Sequence, residues 1–189
     1  MSIEIELKAW VDDSNGLKTR IDSLACFSGS FEKGDAYWHS VAPVPLPPSG
    51  VRIREAMYID VAGRVTRHTW VTYKVKEVRE GIEVNDEHEF EVSDKAAFEG
   101  LLRRFGLEPG VTKHKQGWAW QYAGITVELA LVAGLGWFVE LEILTDTGNE
   151  DIVADARTRL LTLLQQLGIP EEKIESRYYT EMLQALPLR

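Results

Sequence analysis

The sequence predicts an α+β fold in which a closed or strongly curved sheet encloses a charged interior and helices lie on its outside. Three observations carry this reading. Charge recurs at period two in strand after strand: Glu4-Ile5-Glu6-Leu7-Lys8 puts its charges on one face and Ile3, Ile5 and Leu7 on the other. The same alternation returns at Arg52 and Arg54, at Lys74 and Lys76, at Lys113 and Lys115, and at Glu140 and Glu142. A solvated face explains any one such strand, but not a set with interleaved signs. Second, the stretches 14–26, 96–105 and 152–167 each show an apolar stripe at helical spacing that needs burial. Laid outside the sheet, they cover its apolar face and leave the charged one inward. Third, Thr66, Thr69, Val71, Thr72, Tyr73 and Val75 are the residue types that build sheet walls. Such an interior inverts the usual small barrel, which is filled by apolar side chains. Paired opposite charges and water make it tolerable.

The elements follow in order. Residues 2–11 read as the first strand. Residues 14–26 read as a helix, with Ser14 or Asn15 as its cap and Leu17, Ile21 and Leu24 on one face. Asp35-Ala36-Tyr37-Trp38 reads as a short strand, with Tyr37 and Trp38 packing near the run Pro43–Pro48. That run lacks the amide donors of a ladder and reads as a loop ending at Gly50. Strands are expected at 51–59 and 65–77, joined around Asp60 to Gly63, and at 87–92. Ser93 and residues 96–105 form a second helix, stopped near Gly106. Strands at 111–122, 124–132 and 137–145 make a meander, the first two joined around Ala123-Gly124. Residues 150–167 give the longest helix, ending at Gly168 and Pro170, and a last helix begins near Ser176 and carries Tyr179, Met182 and Leu183.

Composition sets outer limits. The 189 residues fit one domain, 1–189, large enough to bury a core without disulfides. The single cysteine, Cys26, excludes an internal disulfide and a multi-cysteine metal site, and between Ala25 and Phe27 it reads as a small buried hydrophobe. No apolar stretch approaches membrane-spanning length and no signal-like pattern opens the sequence, so the expected compartment is the cytoplasm, without a membrane partner. A net charge of -9 disfavours binding of a nucleic-acid polymer through a broad basic surface. It leaves room for a small anion held by local cations.

The charged face points to such an anion. A triphosphate needs several fixed cations, and arginine grips two oxygens at once. Arg52, Arg54, Lys74, Lys76, Lys113 and Lys115 are the cationic candidates. Phosphate brings magnesium or manganese, which take oxygen ligands, and Glu4, Glu6, Glu140 and Glu142, with Glu128 between them in sequence, offer these. Glu87, Glu89 and Glu91 fit either the site or an exposed acidic strand. His39, His68, His88 and His114 lack zinc-like spacing. Trp118, Trp120 and Tyr122 alternate along one strand and read as packing beneath a helix, with a base-stacking wall as the competing role.

The ordered set resembles CYTH domains, also called triphosphate tunnel metalloenzymes. Glu4-Ile5-Glu6-Leu7-Lys8 matches that family's E-x-E-x-K signature. Asp35-Ala36-Tyr37-Trp38, Arg52-Ile53-Arg54, Thr72-Tyr73-Lys74, the strand with Glu87, Glu89 and Glu91, and Lys113-His114-Lys115 follow in its order. Residues 134–142, Gly-Leu-Gly-Trp-Phe-Val-Glu-Leu-Glu, resemble its glycine-aromatic-acidic strand, and residues 176–183 its terminal helix. The resemblance spans essentially the whole chain. It implies an eight-stranded antiparallel tunnel that binds a triphosphate with Mg2+ or Mn2+. By the same resemblance Glu4 and Glu6 are metal-side carboxylates, Glu140 and Glu142 are a second acidic pair, and Arg52, Arg54 and Lys74 are phosphate ligands. Lys8 holds phosphate or positions water, and Arg177 reaches over the tunnel mouth. A homodimer is compatible with the family. Three departures stand out: Lys115 replaces a frequent arginine, Glu128 replaces a frequent aspartate, and an R-x-E-x-E pattern is imperfect around Asn85, Glu87 and Glu89.

With no purine-reading motif in the sequence, the expected activity is metal-dependent hydrolysis of inorganic triphosphate or a small organic triphosphate. The rival is a class IV adenylyl cyclase forming cyclic AMP and pyrophosphate from ATP. A noncatalytic triphosphate-binding barrel is the remaining class.

Overall fold

A computed structural model describes residues 2–41 and 50–187, with the side chains of Ser2 and Lys76 outside the description. The proline-rich loop expected at 43–48 therefore lies outside the described residues. The strands are β1 (Ser2–Trp10), β2 (Cys26–Ser40), β3 (Val51–Asp60), β4 (Val65–Arg79), β5 (Ile82–Glu91), β6 (Leu107–Tyr122), β7 (Ile125–Val132) and β8 (Gly136–Thr145). The helices are α1 (Ser14–Leu24), α2 (Lys95–Arg104), α3 (Glu150–Gln166) and α4 (Tyr179–Gln184), with a 3-10 turn at Glu171–Lys173. All eight strands close into one antiparallel barrel in the order β1-β5-β4-β3-β2-β6-β7-β8.

The main apolar core lies outside the barrel wall, as the charge pattern requires. Ile5, Leu7, Trp120, Val127, Leu129, Val139 and Leu141 form the main core with Leu17 and Ile21 of α1 and Val153, Leu160 and Leu164 of α3. Trp118 and Tyr122 pack against the same cluster, and Trp118 stacks on Trp137 at 5.7 Å, so this aromatic strand is core beneath helices. A second cluster joins Trp38, Ile53 and Val71 to Leu102 of α2. The last helix differs. In α4, Tyr179 and Met182 pack on Val132 and Phe138, while Tyr178, Tyr179 and Thr180 line the barrel interior. An isolated bridge between Ala9 and Ile174 ties the approach to α4 against β1.

Several boundaries differ from the sequence reading for local reasons. The cap of α1 is Asp13, whose carboxylate accepts from the Gly16 N–H at 3.0 Å, and not Ser14 or Asn15. The expected short strand around Asp35 belongs to fifteen-residue β2. Gly29 there has φ 142° and faces the Ile59 carbonyl where a Cβ would come within 2.2 Å, so only glycine fits. β5 begins at Ile82 and not at residue 87, because Glu80 and Gly81, with φ 49° and 81°, turn the chain directly out of β4. β6 starts at Leu107 and passes through Pro109 at a register shift opposite Ala36 and Trp38, where a missing amide is tolerated. Residues 176–178 lie outside the helix, which starts at Tyr179 with extended Tyr178 as its cap. Cys26 is exposed at the start of β2, against the expectation of burial.

Candidate active site in the barrel lumen

Strand alternation aims the charged set inward from all eight strands. Sixteen residues line a central cavity of about 80 Å³: Glu4 and Glu6 from β1; Lys33 and Tyr37 from β2; Arg52 and Arg54 from β3; Lys74 and Glu83; Lys113 and Lys115 from β6; Glu128; Glu140 and Glu142 from β8; and Tyr178, Tyr179 and Thr180. The lumen opens beside Tyr37, Tyr178 and Gln184 into a 510 Å³ recess. Around Arg52, Arg54, Glu89 and Leu144 it meets a second recess of 640 Å³.

Register divides the lumen into an acidic wall and a cationic one. β1 lies between β8 and β5, with Glu6 opposite Glu142 and Glu4 opposite Asn85. Carboxylate oxygens of Glu4, Glu6 and Glu142 all fall within 4.8 Å of one another. Burial and the neighbouring Glu83, Glu140 and Glu4 push Glu6 up to about 8. Burial, then Glu4 and Glu6, hold Glu142 well above the usual carboxylate range. Burial would raise Glu4 too, but the Lys74 ammonium at 2.7 Å outweighs it and keeps the group ionised. Asn85, wholly buried, donates a 3.0 Å bond to the same Glu4 oxygen. The cluster thus carries more acid than the adjacent cations balance, and its all-oxygen donor set suits a hard divalent ion such as Mg2+ or Mn2+. The residues fit such an ion.

The opposite wall holds fixed cations. Nη2 of Arg52 donates to Thr72 at 2.9 Å and reaches Glu87 and Glu89 at 3.2 Å, while its buried Nε has no partner. Arg54 grips Asp35 with two bonds of 2.7 and 3.0 Å. Despite the cost of burial, Arg54 and Lys113 keep Asp35 well below the ordinary aspartate range. Lys74 bridges Glu4 and Glu87 at 2.7 and 3.0 Å. Glu87 sits in this network and is raised by burial and by Glu4.

Of the five expected metal carboxylates, Glu4, Glu6 and Glu142 form the close cluster. Glu128 and Glu140 are paired with Lys115 at 2.8 and 2.6 Å. Glu128 also accepts from Lys33 at 2.5 Å, and Glu140 from the Tyr179 hydroxyl at 2.8 Å. Burial, only partly offset by Glu128, lowers Lys33 to about 8. Arg177 does not reach over the mouth. Its side chain is 60 % exposed and turned onto Glu175, because that carboxylate accepts from its backbone N–H, Nε and Nη2 at 3.0, 2.9 and 2.6 Å. Those bonds with Arg177, chiefly, hold Glu175 down to about 2. Lys8 is buried on Glu83, with its ammonium 5.8 and 5.5 Å from the ring centres of Tyr178 and Tyr179. The side chain of Lys76 lies outside the described residues. Tyr37 lines the lumen, against its expected packing role.

Sequence reasoning missed Lys33, Glu83, Tyr178, Tyr179 and Thr180 as lumen residues, and Asp35 as the partner of Arg54 and Lys113. Lys33, Asp35 and Tyr37 do show period-two spacing, but Glu32 and Gly34 between them break its appearance. Glu83 became visible only once the Glu80-Gly81 turn placed the start of β5.

The CYTH domain model matches residues 2–179. The chain belongs to the CYTH family. A protein of Methanocaldococcus jannaschii named "Putative adenylate cyclase" is 24% identical over 187 residues, covering 95% of this chain and 98% of that one. The structure of the PH1012 protein from Pyrococcus horikoshii OT3 is 27% identical, with a TM-score of 0.73, covering 94% of this chain and 98% of that one. A Vibrio parahaemolyticus structure, described as "a putative adenylate cyclase", is 22% identical with a TM-score of 0.74 over 97% of this chain and 98% of that one, a likeness of fold. No helix among the described residues is long and apolar enough to cross a membrane.

Proposed function

We propose that this CYTH protein is a metal-dependent hydrolase of inorganic triphosphate or a small organic triphosphate. The observation that carries this reading is the pairing of walls: the acidic cluster of Glu4, Glu6 and Glu142 faces Arg52, Arg54 and Lys74 across one buried lumen. Glu4, Glu6 and Glu142 would hold Mg2+ or Mn2+, which supplies neutralising charge to phosphoryl oxygens. Arg52, with an unpartnered Nε, and Arg54 offer guanidinium donors to the polyphosphate. Lys74, Lys113 and Lys115 supply further charge, and their carboxylate partners hold them in place before substrate enters. A polyanion takes over those cations and releases Glu87, Glu89, Glu128 and Glu140 from pairing. Developing charge on the transferred phosphoryl group then meets a fixed cationic wall with little reorganisation. Lys8, fixed by Glu83, is the candidate to hold phosphate or orient the attacking water.

A second reading is favoured by the name of the M. jannaschii relative. As an adenylyl cyclase, the same lumen would hold ATP with its ribose 3′ oxygen in line with the α-phosphorus and release pyrophosphate. Incubation with inorganic triphosphate, thiamine triphosphate and ATP, each with Mg2+ or Mn2+, decides between them by product. Release of inorganic phosphate supports the hydrolase. Cyclic AMP with stoichiometric pyrophosphate establishes the cyclase, and tight binding without turnover in either metal overturns both.

A further inference from the structure

A row of aromatic rings continues the cationic wall toward one end of the barrel. On the lumen-facing parity of β4, two residues beyond Thr72, stands Trp70. Register sets it opposite Arg54 on β3 and Glu91 on β5. His68 follows, stacked on Trp70 at 5.5 Å and 25°, and Tyr58 lies 6.3 Å from His68. The Glu91 carboxylate, 2.7 Å from His68 Nδ1, fixes the imidazole plane. All three rings are only half-buried, and none belongs to the apolar clusters that pack the described residues. By contrast, Trp118, Trp120 and Tyr122 are used up beneath α1 and α3. A stacked, oriented ring row beside a phosphate-gripping guanidinium, and outside the core, has the chemistry of a base-stacking platform.

We propose that Trp70, backed by His68 and Tyr58, is the subsite for a planar aromatic ring carried by the triphosphate, and that this chain selects aromatic organic triphosphates over bare inorganic triphosphate. The proposal rests on the triphosphate reading of the lumen and deepens it. His68 covers one face of Trp70, and the ligand ring takes the other. Successive same-face residues on a strand lie about 7 Å apart, so a ring joined through a sugar or a short linker reaches this row while its phosphates stay between Arg52, Arg54 and Lys74.

Cleavage-resistant methylene analogues of ATP and of inorganic triphosphate, titrated calorimetrically with Mg2+, provide the test. Wild-type protein is expected to bind the ATP analogue more tightly than the base-free one. In Trp70→Ala the ratio of the two affinities should fall about tenfold, within the range for loss of one base–aromatic stack, and Trp70→Phe should keep most of it. If Trp70→Ala fails to fold, the ratio in Trp70→Phe and His68→Ala decides, with a fall in His68→Ala expected. An unchanged ratio across these variants, a wild-type preference for the base-free analogue, or a fall in Tyr178→Ala at the opposite end instead, overturns the subsite while leaving the triphosphate lumen standing. Binding of neither analogue to the wild type overturns the triphosphate reading itself.

Discussion

Removing the guanidinium of Arg52 takes away donors held by Thr72, Glu87 and Glu89 and the one buried Nε free to meet a ligand. A charge-assisted bond of this kind contributes about 1.5–3 kcal/mol. Arg52→Ala should therefore raise the Kd for inorganic triphosphate roughly 10- to 100-fold in equilibrium titration, with the far-UV spectrum unchanged. Glu4 acts differently. Glu4→Gln removes one carboxylate of the acidic cluster and should raise the Mg2+ concentration for half-maximal activity by about tenfold or more, with a smaller change in substrate KM. Wild-type dependence on both metal and substrate in these two variants would remove the lumen from the chemistry. At this scale the sequence was most informative where charges alternate without interruption, as at Glu4, Glu6 and Lys8. It was least informative for Glu128 and Glu140, since only tertiary pairing with Lys115 shows that these carboxylates are held by cations.

Among the elements, the segment before α4 depends on one carboxylate. Glu175 is buried, accepts from Trp10 Nε1 at 3.2 Å and anchors Arg177. Its carboxyl is depressed from 4.5 to about 2, so its stabilising contribution is present above pH 4.5 and is lost as pH falls through about 2. Glu175→Gln should melt below the wild type at pH 7, with the gap narrowing between pH 4.5 and 2, read by thermal denaturation. A gap constant over that window would rule out the ionic origin. Trp120→Ala, cut from the wholly buried floor under α1 and α3, should lower unfolding free energy in urea by about 3–5 kcal/mol. Strands and helices with unbroken period were legible in the sequence, including β1, β3, β7, β8 and α3. The far ends of β2, β5 and β6 were not, because Gly29, the Glu80-Gly81 turn and Pro109 read as loop signals until neighbouring strands show them as a close approach, a hairpin and a register shift.

For the whole molecule, the separation of an outer apolar core from an inner charged lumen makes metal binding and folding separable. Excess chelator should leave far-UV ellipticity unchanged, whereas Mg2+ at a hundredfold over its Kd adds about 2.7 kcal/mol, a rise of roughly 5–10 °C in Tm for a chain of this size. Glu142→Gln should shrink that rise. Unfolding on chelation would mean that the ion is part of the fold. Barrel closure has its own consequence. β1 comes first among the strands, yet its two neighbours are β5 and β8, and it also makes backbone contacts with residues 174–175. A ribosome therefore releases the opening strand long before either flank exists, and the ring cannot shut until residues 136–145 emerge. Nascent chains halted before that stretch should stay protease-sensitive and depend on chaperones, and refolding from denaturant should be slow in proportion to the sequence distance each closing pair must bridge.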